Sequence, residues 1–215
     1  MGIQKKVSTR EKILERSLAL FSQKGYRAAT MRDIAGEVGV RQGAIYNHFK
    51  NKEAILETLL NDLMESALVN LFADLELPGI HRKGKSILAK IATTFKLISF
   101  DPRNEALFRL MMQEIFRNPR IRELYHEHFY QQNVKKLSAL FFQMMQDEMI
   151  RSSDPLMLAN EFFAPLFFYQ MQVVLLKIDG KSTSSAVTLF EKHVDIFWES
   201  VRLSDQESEI KKTLF

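Results

Sequence analysis

A chain of 215 residues is long enough for one full hydrophobic core or two small ones, and with 30 basic against 26 acidic residues its net charge of +4 is too low for a polybasic nucleic-acid coat. The absence of cysteine excludes disulfides, thiolate nucleophiles and sulfur-ligated metals, and fits a reducing cytoplasm. Charge is unevenly placed: residues 1–60 carry 11 Lys and Arg against 6 Asp and Glu, leaving 19 against 20 for the remainder, so the first quarter is where a phosphate-bearing partner would be met.

The opening "MGIQKKVSTR" has no apolar signal region. A first helix is expected over about Thr9 to Lys24, with Ile13, Leu14, Ser17, Leu18 and Phe21 on one face and Gly25 able to take a left-handed cap. In "TMRD", Thr30 can cap the next helix while Asp33 stands three residues on, a capping box, and Ile34, Ala35 and Val38 form the buried stripe. Gly39 permits a positive-φ turn, and Ile45 and Phe49, four apart, bury the third helix. Helix, short glycine turn and helix, braced by the first, make a helix-turn-helix whose last member can lie in a major groove.

With Ile45 and Phe49 inside, Arg41, Gln42, Gly43, Ala44, Tyr46 and Asn47 are free to face DNA. Gly43 and Ala44 are small enough for close backbone approach. The amide of Gln42 can donate and accept at once, as the edge of adenine requires. Tyr46, His48 and Lys52 suit phosphate contacts, with Thr30 at the same side, and such contacts fix register without reading sequence. Asn51 is expected to cap the fourth helix and turn its first amides and Lys52 toward a phosphate.

Residues 13–55 resemble the TetR family of bacterial transcriptional regulators, on Ile13, Leu14, Phe21, Gly25, Tyr26, Thr30, Ile34, Ala35, Gly39, Val40, Gly43, Tyr46, His48, Phe49, Lys52 and Glu53. Two positions depart from the pattern: Arg41 stands where a small hydroxyl is usual, and Ser17 where alanine is usual. Arg41 cannot cap the recognition helix with an oxygen but adds a cation. Ser17 is expected to return its hydroxyl to a backbone carbonyl. The resemblance implies an all-α homodimer that represses transcription from a double-stranded DNA operator, with a helix-turn-helix domain over 1–51 and a larger helical domain over 52–215 for dimerisation and for a small-molecule effector.

Beyond Lys52 the chain carries 15 of its 17 phenylalanines and 8 of its 10 methionines, a composition that suits a deformable apolar cavity as well as an ordinary core. Helices are expected from Lys52 to about Ala73, from Lys85 to Phe100, from "DPRNEAL", from "NPRIREL" through "QMMQDEM", from "SDP" to about Lys177, and from Ser185 to Leu203. Candidate pocket residues are Phe95, Phe108, Met111, Met112, Phe116, Phe129, Phe163, Phe167 and Gln170, which predicts an apolar or amphipathic effector. The helix after "SDP" is apolar on two sides, Leu158, Phe162, Leu166, Tyr169 and Val173 on one and Phe163, Phe167 and Val174 on the other, so one side is expected to meet a second subunit. Its interruption by Pro165, Gln170 and Gln172 argues against a membrane span.

No glycine-rich phosphate loop, metal-spaced cluster or nucleophile with a base is visible, so no catalysis, cofactor or metal is expected. His126 and His128 are two apart, and a helix would point them in nearly opposite directions. The competing reading is a helical lipid- or partner-binding protein with a basic N-terminus, which would show no salt-dependent, sequence-selective DNA binding.

Overall fold

The computed structural model describes residues 8–66 and 78–203. Every regular element among them is helical, and the one β contact is an isolated bridge between Ile150 and Arg202. The helices are α1 (Thr9–Lys24), α2 (Met31–Val38), α3 (Gln42–Tyr46), α4 (Lys52–Ser66), α5 (Lys85–Phe100), α6 (Pro102–Glu114), α7 (Pro119–Leu124), α8 (Gln132–Gln146), α9 (Pro155–Ile178) and α10 (Ser184–Val201). A 3₁₀ turn at Ile80–Lys83 precedes α5, and a π-helical stretch at Tyr125–Gln131 joins α7 to α8, where the sequence suggested one continuous helix. Residues 67–77, on which the expected end of the fourth helix falls, lie outside the described residues.

Contacts gather into two compact units, Met1–Glu65 with Pro102–Leu124 and Ser66–Asp101 with Tyr125–Phe215. The first unit includes α4, α6 and α7 beside the first three helices. Arg103 explains part of this: its Nε meets Glu15 of α1 at 2.9 Å and its Nη2 meets Asp62 of α4 at 3.1 Å. The core of this unit is built from Ile13, Leu14, Phe21, Ile34, Ile45, Ile55, Leu59 and Met111, all buried.

Local chemistry sets the helix ends. Ser8 and Glu11 form a capping box at α1, and Thr30 and Asp33 form one at α2. Asn51 Oδ1 accepts from the Ala54 amide at 2.8 Å, as expected for the start of α4. Gly39 ends α2 in the left-handed region at φ +76°, whereas Gly25 closes α1 at φ +85°, ψ 145°, a positive φ but not the left-handed helical turn expected.

One expectation fails inside α1. Ser17 is fully buried and its Oγ has no hydrogen-bond partner, so the hydroxyl is not returned to a backbone carbonyl. It lies on the stripe with Ile13, Leu14 and Phe21, where packing sets its rotamer. An orphaned buried hydroxyl destabilises, so Ser17→Ala is expected to raise stability by about 1 kcal/mol. For a chain of this size that is a rise in melting temperature of about 2–4 °C by calorimetry; a fall would show that the hydroxyl has a partner.

In the second unit α9 is the central helix, packed against α5, α8 and α10. Its start is fixed by Asp154, whose Oδ1 accepts from the amides of Leu156 and Met157, with Pro155 at the first turn. Phe162 is fully buried among the rings of Phe141 (6.1 Å), Phe197 (5.1 Å) and His193 (5.4 Å). Gly84, with φ +50°, precedes α5 in a backbone conformation that favours glycine, and a Cβ there would come within 3.1 Å of the Trp198 ring and 3.2 Å of Met149, which would have to shift. By length and composition alone α9 is long and apolar enough to cross a membrane despite Pro165, Gln170 and Gln172, as the core helix of a soluble protein also can be.

Both apolar sides of α9 named from sequence turn out to be used within the subunit. Leu158, Phe162, Leu166 and Val173 are buried, and so are Phe163 and Val174. Three packed neighbours leave a third stripe free: Met157, Phe168, Leu175 and Ile178 are exposed, at helical spacing that also includes Ala164 and Met171. On α10, Ile196 is 71% exposed.

Candidate nucleic-acid interface

The helix-turn-helix comprises α2, the turn 39–41 and α3. Gly39 and Val40 amides both return to the Ala35 carbonyl at 3.0 Å, which closes α2 tightly and swings the chain into α3. Arg41 occupies the N-cap of α3 with extended backbone and no side-chain capping bond, as its side chain dictates. After Tyr46, the His48 and Phe49 amides both reach the Ile45 carbonyl, so the turn continues to Phe49. Ile45 and Phe49 are buried, and the Arg10 guanidinium of α1 lies 5.0 Å from the Phe49 ring centre, which braces the end of the recognition segment.

The opposite side is open. Arg41, Gln42, Gly43, Tyr46, Asn47 and His48 are exposed and Ala44 is half-buried. Gln42 Nε2 donates to Tyr46 Oη at a long 3.4 Å, a contact a base edge can replace. Thr30 is exposed, but its hydroxyl is engaged with Asp33 in the capping box. A Cβ built on Gly43 would meet nothing within 4 Å, and Gly43 has no positive φ. Nothing inside the protein therefore requires glycine there, although it costs helix stability relative to alanine.

Lys52 is placed otherwise than expected. Its Nζ donates to the carbonyls of Tyr26 (2.6 Å), Arg27 (3.2 Å) and Ala29 (2.7 Å) and lies 4.4 Å from the centre of the Tyr26 ring. All three ammonium protons are engaged, so in this fold Lys52 holds the loop between α1 and α2 to the start of α4. Burial lowers its pKa, opposed by the charge of Glu114. Tyr26 is pushed up to about 12 by burial and by Glu53, Glu114 and Glu57. Arg27, Arg32 and Lys50, absent from the expected contacts, are further exposed cations of the first unit. Lys50 had a local signal, since it directly follows the buried Phe49.

Asp33 receives the Lys24 ammonium at 2.8 Å together with the Thr30 amide and hydroxyl at 2.9 Å each. The Lys24 and Thr30 hydrogen bonds hold its pKa at about 2, below the ordinary 3.8. A depressed carboxylate stabilises the folded state above its unfolded pKa and loses that contribution as pH falls through the folded one. Loss of α2 order is accordingly expected between about pH 4 and pH 2. Backbone amide shifts of residues 31–38 should follow that titration in the wild type, and a flat response there, or the same response in Asp33→Asn, would exclude the cap as its source.

The nine pocket candidates divide between the two units. Phe95 and Phe163 meet edge to face at 5.4 Å, Phe167 lies 6.1 Å from Tyr125, and Gln170, 3% exposed, sits one turn further along α9. Phe108 and Met111 are buried and Met112 is half-buried in the first unit. Phe116 lines no interior: α6 ends at Glu114, and the turn that follows leaves this ring 82% exposed. The side chain of Phe129 lies outside the described residues. Among the described residues no group of three or more His, Asp and Glu side chains could hold a metal ion. His126 Nε2 pairs with Gln131 Nε2 at 3.0 Å.

An all-helical chain that presents a short, internally anchored and externally polar helix as the second arm of a helix-turn-helix falls in the class of helix-turn-helix DNA-binding proteins. Residues 13–59 match the model of bacterial regulatory proteins of the tetR family, and residues 86–199 match that of the AefR-like transcriptional repressor C-terminal domain. The chain belongs to the tetR family. It is 25% identical over 115 residues to the HTH-type transcriptional repressor KstR2 of Rhodococcus jostii, across 54% of this chain and 55% of that one. It spans about half the length or less of such curated relatives, 28% for KstR2 of Mycolicibacterium smegmatis. Among solved structures it is similar in fold to the SmeT–triclosan complex, at a TM-score of 0.72, 19% identity and 92% and 93% coverage. A second such structure is a transcriptional regulator of Saccharomonospora viridis in complex with choline, at a TM-score of 0.70, 24% identity and 91% and 98% coverage.

Proposed function

We propose that this protein is a ligand-responsive transcriptional repressor of the cytoplasm, a homodimer that holds a palindromic DNA operator and releases it when a largely apolar small molecule binds within residues 52–215, with no catalysis of its own. The observation that carries DNA reading is Gly43, a glycine on the open face of α3 that no intramolecular contact and no backbone angle explains. Close approach of the helix backbone to a duplex supplies the missing reason. Gln42 reads a base edge, Tyr46, Asn47 and His48 hold phosphates, and Arg41, Arg32 and Lys50 supply cations.

Dimerisation is assigned to the free stripe of α9 with Ile196 of α10, since two recognition helices must be set about 34–36 Å apart to reach successive half-sites. For the effector, the group formed by Phe95, Phe163, Phe167 and the buried amide of Gln170 offers an aromatic wall with one polar group. The triclosan bound to SmeT and the choline bound to the S. viridis regulator support a helical domain of this fold as a small-molecule holder. Release follows from differential affinity: an effector that prefers the conformer with α4 swung away shifts the dimer to a half-site spacing that no longer fits.

The test is a fluorescence-anisotropy titration on DNA from upstream of the protein's own gene, with nonspecific competitor and a salt series. Gly43→Ala is expected to stabilise α3 by about 0.5–1 kcal/mol while weakening operator binding about tenfold or more, opposite signs that a merely structural glycine would not give. An unchanged affinity in both Gly43→Ala and Tyr46→Ala on a selected operator would exclude this face as the reader. An effector that leaves operator affinity unchanged at saturation would remove the release mechanism.

A further inference from the structure

The π-helical stretch Tyr125–Gln131 has a local consequence. Its last two residues, Tyr130 and Gln131, open onto a cleft of about 500 Å³ whose other walls are Val134, Lys135 and Ser138 of α8 and Leu156 and Asn160 of α9. That volume lies within the range of about 300–1,000 Å³ found for small-molecule sites, and single π turns within helices are frequent at functional positions. The cleft lies wholly within the second unit and shares no residue with the aromatic group proposed above for the effector.

The chemistry of the walls is one-sided. Tyr130 Oη donates to Asn160 Oδ1 at 2.6 Å, and Asn160 Nδ2 donates to the Leu156 carbonyl at 2.9 Å, so these groups are tied to each other and stiffen the wall. Gln131 Nε2 is turned to His126 at 3.0 Å. The Lys135 ammonium adds a cation and the Ser138 hydroxyl a further donor, beside the apolar surfaces of Val134 and Leu156, and no carboxylate lines the cleft. A cation and a hydroxyl at one side and aliphatic surface at the other suit a ligand with an anionic head and a short apolar body. We propose that the cleft between the end of the π turn, α8 and the start of α9 is a separate binding site for organic monocarboxylates, with Lys135 and Ser138 holding the carboxylate and Val134 and Leu156 the aliphatic part. The proposal does not depend on the repressor reading, because it concerns binding alone.

Isothermal titration of the full-length protein with octanoate tests it, with octanol and octyltrimethylammonium as the neutral and cationic counterparts. Saturable octanoate binding, weakened about tenfold by Lys135→Gln, retained by Lys135→Arg and lost in Leu156→Asp, is expected. Lys135 and Leu156 are exposed, so circular dichroism and the melting temperature should be unchanged in all three variants. The proposal is overturned by octanoate binding that is indifferent to both Lys135→Gln and Leu156→Asp, since the ligand then sits elsewhere. Equal binding of octanol, or no saturable binding at millimolar octanoate, overturns it as well.

Discussion

Lys52→Ala is expected to lower operator affinity by about 10- to 100-fold while leaving the dependence of affinity on salt unchanged. The two readouts separate positioning from contact. A lysine that neutralises a phosphate releases a counterion, and its loss lowers the salt slope by about 1. Lys52 instead gives its protons to the carbonyls of Tyr26, Arg27 and Ala29 and packs on the Tyr26 ring, itself 5.2 Å from Phe21 of α1 in an edge contact. Removing the ammonium leaves three carbonyls without their donor and loosens the loop that leads into α2. Hydrogen bonds to a charged group contribute about 1.5–3 kcal/mol, so a stability loss of about 2–3 kcal/mol is expected alongside the drop in affinity. Lys50→Ala serves as the comparison, with a small loss of affinity, no loss of stability and a salt slope reduced by about 1. Should Lys52→Ala reduce the slope instead and leave the melting temperature alone, the lysine leaves its carbonyls for a phosphate when DNA binds.

In the second unit the largest effect is expected from Phe162→Ala. The ring is fully buried and is shared by α8 through Phe141 and by α10 through Phe197 and His193, whose Nε2 donates to the Phe162 carbonyl at 2.9 Å. Burial lowers the His193 pKa, against the opposing effect of that carbonyl, which fits a neutral ring stacked on Phe162. Truncating such a phenylalanine costs about 3–5 kcal/mol, because the transfer energy of the ring is lost and a cavity remains. At about 2–4 °C per kcal/mol for a chain of this size, the melting temperature should fall by roughly 10 °C. Phe162→Leu should cost less than half as much. A loss below about 1 kcal/mol in Phe162→Ala would mean that α8 and α10 close over the gap, and that this cluster is not what fixes their packing.

Much of the first unit was legible because its determinants are local. The capping box at Thr30 needs only a residue three positions away, and the turn at Gly39 needs only a positive φ. The outward set on α3 followed from Ile45 and Phe49 at one helical repeat. A basic residue at a helix start beside a DNA-facing segment suggests a phosphate ligand, and the carbonyls that hold Lys52 in the fold are not visible from its position alone. Its partners are 23 to 26 residues earlier in the chain. Ser17 departs from the usual helical habit of a serine hydroxyl, because the residue is fully buried on the apolar stripe of α1 and its Oγ has no partner there.

The sequence by itself determined that the chain is helical, where most helices begin, and which side of α3 is polar, because capping, glycine turns and a 3.6-residue apolar period act over a few residues. Only the tertiary structure decided which stripe of α9 is left over once three neighbours have packed, that Phe116 stands in solvent, and that the π turn meets α9 across a cleft. Those outcomes depend on how residues far apart in the chain share space. An apolar repeat states that a face will be buried, but not by which helix.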